Sequence, residues 1–227
     1  MNRKNLRSLA AGVALLLAVG ALAGCGGEKK ADDSKKMVTV GIAQLVEHGA
    51  LDAANKGFVA GMASKGFKEN ENVKYDRQNA QADQSNLQNI AQRFVSNKVD
   101  LICAIATPTA QTMANATKDI PIVATAVTDY EVAKLAASNN EPKGNVTGTS
   151  DMNPIDQQLE LLLKIAPQTK NIGTVYSSSE VNSQLQVDVL KKLAGAKGIN
   201  VIEATVSTVN DIQPVSYTHL RAHETGR

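Results

Sequence analysis

Four clusters of hydroxyl, amide and carboxyl side chains recur along this chain, each directly after a β-branched apolar run. Gln44, Glu47 and His48 follow the run at 38–42, and Thr107 and Thr109 follow the run at 99–106. Thr125, Thr128 and Asp129 close the run that begins at 120. Ser177, Ser178 and Ser179, then Asn182 and Ser183, follow the run at 171–176. Side chains of these types hold a polar small molecule by hydrogen bonds and make a poor nucleophilic machine. They also open helices, whose free N–H groups attract an anion such as a carboxylate. Each cluster has a second reading. The hydroxyls around Pro108 and the three serines either contact a ligand or cap helices. Glu47 and His48 either face a ligand or belong to a solvated loop. Asp129 either balances an ammonium group or bonds its own turn. Asp151, at the junction of two blocks of chain, either reaches a ligand or stiffens a hinge.

Signatures of catalysis are sparse. The chain has no G-x-S-x-G elbow, no P-loop and no G-x-G-x-x-G. His48 is the one histidine outside the C-terminal stretch, so a surface hydrolase would have to be built on it, and nothing nearby arranges a triad. His219 and His223 are four apart and could share a helix face as metal ligands, but no third ligand lies near. The expectation is therefore no enzyme, no metal and no cofactor. Aromatic residues are 3% of the chain, which leaves no stacking platform for bases. With 24 basic against 22 acidic residues there is no basic excess either, so no nucleic-acid partner is expected.

The clusters need a frame. Short β-branched runs at 38–42, 72–75, 99–106, 120–127 and 145–149 alternate with segments of helical spacing at 51–67, 83–96 and 109–117. In the first of these helices Ala54, Phe58 and Met62 share a face. In the second, Leu87, Ile90, Ala91 and Phe94 do, with Asp83 as cap. The rhythm resumes with a helix at 153–166, a strand at 171–176, a helix at 181–196 and a strand at 200–206. Strands alternating with helices predict an α/β fold with parallel sheets flanked by helices, in two blocks joined near 148–152. In an open parallel sheet, ligands bind outside the carboxyl ends of the strands, which is where the polar clusters fall.

The N-terminus is of another kind. Arg3, Lys4 and Arg7 precede an apolar run at 9–22, and Leu22-Ala23-Gly24-Cys25 closes it. Basic start, apolar run and small residues make an export signal over 1–24. The run is shorter than the roughly 20 residues of a membrane-spanning helix. The tetrapeptide resembles a bacterial lipobox, which implies a lipid on Cys25 and an extracytoplasmic protein anchored to the cell membrane. Without Arg3, Lys4 and Arg7 the 24 basic residues become 21 against 22 acidic, near neutrality. Residues 25–36 carry no large apolar side chain and read as a flexible tether. About 200 residues remain, enough for one medium domain or two small ones. The expected division is a first α/β lobe at 37–149, a partial second lobe at 150–213 and a foreign-looking tail at 214–227. The tail string 216–225 resembles translated sequencing-adapter read-through, which would have the natural protein continue past Gln213. Cys103 sits in an apolar run and reads as a buried, unreactive thiol.

Several stretches together resemble the ABC transporter substrate-binding proteins of the tryptophan/tyrosine-binding type. They are Val40-Gly41-Ile42-Ala43-Gln44 with Glu47-His48-Gly49, Gln78-Asn79-Ala80-Gln81-Ala82-Asp83, and Ala104-Ile105-Ala106-Thr107-Pro108. Pro121-Ile122-Val123 with Thr125-Ala126-Val127-Thr128-Asp129, Gly144-Asn145-Val146-Thr147-Gly148-Thr149-Ser150-Asp151, and Glu180-Val181-Asn182-Ser183 continue the match. The resemblance implies a two-lobed, type I periplasmic-binding-protein-like fold that closes on a small solute, an amino acid by analogy, and delivers it to a membrane permease. By that analogy Gln44, Glu47, His48, Thr107, Thr109, Thr125, Thr128 and Asp129 contact the ligand from the first lobe, and Ser178, Asn182 and Ser183 from the second. A ligand sensor docking to a membrane signalling partner would use the same pocket. Relatives usually carry Pro where this chain has Gly49, and often where it has Tyr130. They also continue beyond this chain, so the second lobe is expected to be incomplete.

Overall fold

The computed structural model describes residues 37–142 and 144–224, without the side chains of 209 and 219–224. The expected signal, Cys25 anchor and tether lie outside the described residues, as do the His219 and His223 side chains.

Runs of Val, Ile and Thr extend as β1 (Val38–Gln44), β2 (Val73–Asn79), β3 (Leu101–Ile105), β4 (Ile122–Val127) and β5 (Val146–Ser150). They form one sheet in the order β2-β1-β3-β4-β5, every pair parallel. Parallel neighbours need a crossover, and helices supply it. On one face lie α2 (Gln84–Ser96) and α3 (Thr107–Ala116). Asp83 caps α2, its carboxylate accepting from Asn86 N at 2.8 Å. Leu87, Ile90, Ala91 and Phe94 then return to one side of α2 and pack against Ala43, Ile102 and Met113. Phe94 lies so close to β1 that a Cβ on Gly41 would stand 2.7 Å from its ring. On the other face α1 (Gly49–Ser64) sets half-buried Leu51, Ala54, Phe58 and Met62 against Val40, Ile42, Tyr75 and Ile105.

Cys103 is fully enclosed in that second core, and burial pushes its thiol up to about 12. The thiolate is the reactive form. The folded protein should therefore resist iodoacetamide at Cys103 at pH 8, by peptide mapping, while the urea-unfolded chain reacts. Labelling of both at one rate would contradict this packing.

The second block forms a two-stranded parallel sheet of β6 (Asn171–Ser177) and β7 (Asn200–Val206). The helices α4 (Ile155–Ile165) and α5 (Val181–Gly195) close a small core of Leu159, Ala194, Ile199, Ile172 and Val201. Pro154 stands at the N-cap of α4, not inside its first turn. Past β7, α6 (Ile212–Glu224) runs through Pro214 into the stretch expected as a tail. Proline in a first turn forfeits no intrahelical hydrogen bond, so the helix continues.

Candidate functional site

The carboxyl ends of the five strands share one edge. Asn79, Gln44, Ile105 and Thr125 stand in register across β2, β1, β3 and β4. Four of the seven non-glycine residues with positive φ among the described residues lie at or just before the turns on this edge, the rim of the sheet. Gln81 and Ala82 after β2, Ala106 after β3 and Ala126 in β4 all take positive φ, between 56° and 88° for the first three and 55° for the last. Such conformations persist where surrounding structure enforces them, and they cluster at ligand sites.

Beyond β1, Gln44 is buried and its amide is already engaged. Its Nε2 donates to Asp52 Oδ1 at 2.7 Å and to Val46 O at 2.9 Å, and its Oε1 accepts from Asn55 Nδ2 at 3.2 Å. The side chain ties the loop to the first turns of α1. Glu47 and His48 are exposed. His48 caps α1, its Nδ1 accepting from Ala50 N at 3.3 Å. That bond occupies Nδ1, and among the described residues no serine hydroxyl hydrogen-bonds the ring.

Beyond β3 the geometry is sharper. The N-cap position of α3 belongs to Ala106 and that of α5 to Glu180, and neither helix has a side-chain cap. Neither the threonines nor the three serines are caps. Thr107 and Thr109 lie instead within the first turn of α3, both buried, and neither Oγ1 has a hydrogen-bond partner among the described residues. First-turn N–H groups of a helix lack intrahelical acceptors. The start of α3 thus presents hydroxyl and amide donors together. A buried hydroxyl left unpaired costs about 1–3 kcal/mol, so each calls for a partner.

Beyond β4, Ala106 N donates to Thr125 O at 3.0 Å, which joins this segment to the start of α3. Thr149 Oγ1 lies 3.3 Å from Thr125 Oγ1. Thr128 is buried, its carbonyl accepting from Ser150 Oγ at 2.7 Å. Asp129 bonds its own loop: Oδ1 accepts from Val132 N and Oδ2 from Asn139 Nδ2, each at 2.8 Å. Asp151 is exposed where the chain leaves for the second block, its N–H bonded to Val127 O at 3.1 Å.

In the second block Ser178 is exposed, Ser183 is half-buried, and Asn182 donates to Glu180 Oε2 at 3.2 Å while its own Oδ1 is buried without a partner among the described residues. A cavity of about 590 Å³ opens here, between Gln81 and Ala82 on one side and Tyr176, Ser177, Glu180 and Thr208 on the other. Reading the chain missed Gln81, Ala82 and Thr208, although they follow strands just as Thr107 and Ser177 do. Tyr176 was also missed; its hydroxyl lies 2.9 Å from both Gln184 Oε1 and Glu203 Oε2. The ammonium of Lys191 beside Glu203, and next that hydroxyl, hold the Glu203 carboxyl below the usual range. A second cavity, about 260 Å³, lies among Leu159, Leu162, Ile172, Val187 and Leu190. No charged group lines it.

Comparison with known proteins agrees with this architecture. The family description "ABC transporter substrate binding protein" matches residues 39–224. The chain is 48% identical over 219 residues to a tyrosine-binding protein of Clostridioides difficile (strain R20291), covering 93% of this chain and 63% of that protein. A conserved domain protein from Vibrio cholerae superposes with TM-score 0.79 at 42% identity, over 81% of this chain and 62% of its own. An ABC domain from Streptococcus pneumoniae in complex with L-Trp superposes with TM-score 0.79 at 40% identity, over 82% and 63%. The chain therefore spans less than two thirds of the length of these relatives. The parallel sheets flanked by helices are the type I periplasmic-binding-protein architecture. With a family match over most of its length and relatives this similar, the chain belongs to the ABC transporter substrate-binding protein family.

Proposed function

We propose that this protein is an extracytoplasmic receptor that captures an aromatic amino acid, tyrosine or tryptophan, and hands it to an ABC permease. It binds and releases its solute without chemical change. The observation that carries the reading is the pair of partnerless buried hydroxyls, Thr107 and Thr109, at the start of α3. A carboxylate there accepts from both hydroxyls and from first-turn N–H groups, and the positive end of the helix favours its charge. Thr125 and Thr128 continue the rim, and Gln44 braces the loop that carries Glu47 and His48. The exposed carboxylate of Glu47 supplies a partner for the ammonium group. From the second block Ser178, Asn182, Ser183 and Asp151 close over the solute, and displaced water strengthens each polar contact. The relatives named for tyrosine and solved with L-Trp support the solute class. Lipid on Cys25 keeps the receptor at the membrane, where a permease partner waits.

Titration calorimetry on the full-length gene product tests this. L-Tyrosine and L-tryptophan should release or absorb heat at micromolar concentrations, and glycine should not. Silence with both aromatic amino acids would overturn the proposal.

A further inference from the structure

We infer that Tyr130 is a positioning residue for the rim: its hydroxyl, wedged into the β4–β5 pairing against Gly148, fixes the backbone that carries Thr125 and Thr128. The inference rests on the proposed solute site for its functional half and on geometry alone for its structural half.

The β4–β5 ladder breaks just where the rim begins. Ala124 pairs with Gly148 and Val127 with Ser150, so Thr125 and Ala126 together oppose Thr149. Two residues against one is a bulge, which disrupts the ladder and re-aims the side chains of the bulged strand. Ala126 takes φ +55° to make it. The Tyr130 hydroxyl enters this gap. It lies 3.0 Å from Ala124 O on one strand and 3.2 Å from Thr149 O on the other, so its single proton is shared between the two carbonyls. Burial pushes this phenol up to about 12, helped by the nearby Asp151 carboxylate, so it remains a donor at neutral pH.

The gap exists because residue 148 has no side chain. A Cβ there would stand 1.9 Å from Ala124 O and 2.2 Å from the Tyr130 hydroxyl oxygen. The tyrosine is also held at its backbone, where its N–H donates to Asn139 Oδ1 at 2.7 Å and its carbonyl accepts from Leu135 N at 2.8 Å. Asp129 clamps the same loop through Val132 and Asn139. Downstream of the bulge, Ser150 bonds Thr128 and Asp151 bonds Val127. One phenol thus stands between the rim and the segment that leads into the second block.

The test uses the full-length gene product with Y130F, G148A and Y130F/G148A, read by amide hydrogen exchange and by calorimetry with L-tyrosine. Y130F keeps the ring and removes the wedge. Exchange should quicken at 125–128 and 149–151 while 101–105 stays protected, and L-tyrosine affinity should fall roughly tenfold, the worth of about one hydrogen bond. G148A should disturb the same segments more, and should still do so in the Y130F background, because Ala124 O at 1.9 Å blocks the Cβ with or without the hydroxyl. Exchange that is unchanged, or that rises evenly over the whole sheet, would overturn the wedge. A local change with wild-type affinity would overturn its role at the rim. Wild-type protein that takes up neither tyrosine nor tryptophan would sink the proposed function alone, and the exchange pattern would still decide whether Tyr130 holds the bulge.

Discussion

Replacing Thr107 and Thr109 together by valine should weaken L-tyrosine binding about 100-fold without lowering the unfolding temperature. Valine keeps the shape of threonine and removes the hydroxyl. Both hydroxyls are buried and partnerless among the described residues, so in the free protein each carries a desolvation cost with no return. With a carboxylate in place, each makes a charge-assisted hydrogen bond worth about 1.5 kcal/mol or more. Each 1.4 kcal/mol is a factor of ten, so two such bonds give about 100-fold. Calorimetry reads the affinity and thermal denaturation reads the stability. The pairing of the two results is what matters: lost affinity with stability kept or raised. A fall in stability with unchanged affinity would make these threonines ordinary core residues.

The largest effect on stability is expected at the contact between α2 and β1. Phe94 is fully buried, with its ring against Gly41. Phe94→Ala should cost about 3–5 kcal/mol, from lost burial and the cavity left behind. Gly41→Ala should cost about 1–3 kcal/mol, because its methyl would need the space the ring already fills. Marginal stabilities of about 5–15 kcal/mol make either loss easy to see. Since the two groups compete for one volume, the double variant should cost less than the sum of the singles by about 1 kcal/mol or more. Urea unfolding followed by circular dichroism measures all three. Additive losses would show that ring and glycine do not share that space.

How far the chain announces this architecture varies by element. The β-branched runs locate β1, β3, β4, β6 and β7, and Asp83 with Leu87, Ile90 and Phe94 locates α2 to within a residue. An apolar criterion stops β2 at Tyr75, yet the strand continues to Asn79. It is an edge strand with one paired side, so half-buried Asp76 and Gln78 and exposed Arg77 can stand in it. That early stop hid Gln81 and Ala82, which line the larger cavity. Helix α3 starts two residues before the apolar spacing suggests, because Pro108 fits a first turn. The threonines around it are then inside the helix instead of capping it. Gln44 is in the right place for a rim residue, but Asp52 and Asn55 claim its amide, and no spacing rule foretells that. The bulge in β4 is the least legible feature. Ile122 to Val127 reads as an uninterrupted strand, and the break depends on Tyr130 and Gly148 meeting across two strands. The local hint was a glycine between two strand threonines, a common mark of close backbone approach.

A crystal structure of the full-length gene product grown with L-tyrosine would decide where the solute sits. Its carboxylate should lie within about 3 Å of the Thr107 and Thr109 hydroxyls at the start of α3, the reach of a hydrogen bond. The same density in the apolar cavity among Leu159, Leu162 and Val187, with both hydroxyls still unpaired, would contradict the proposed site.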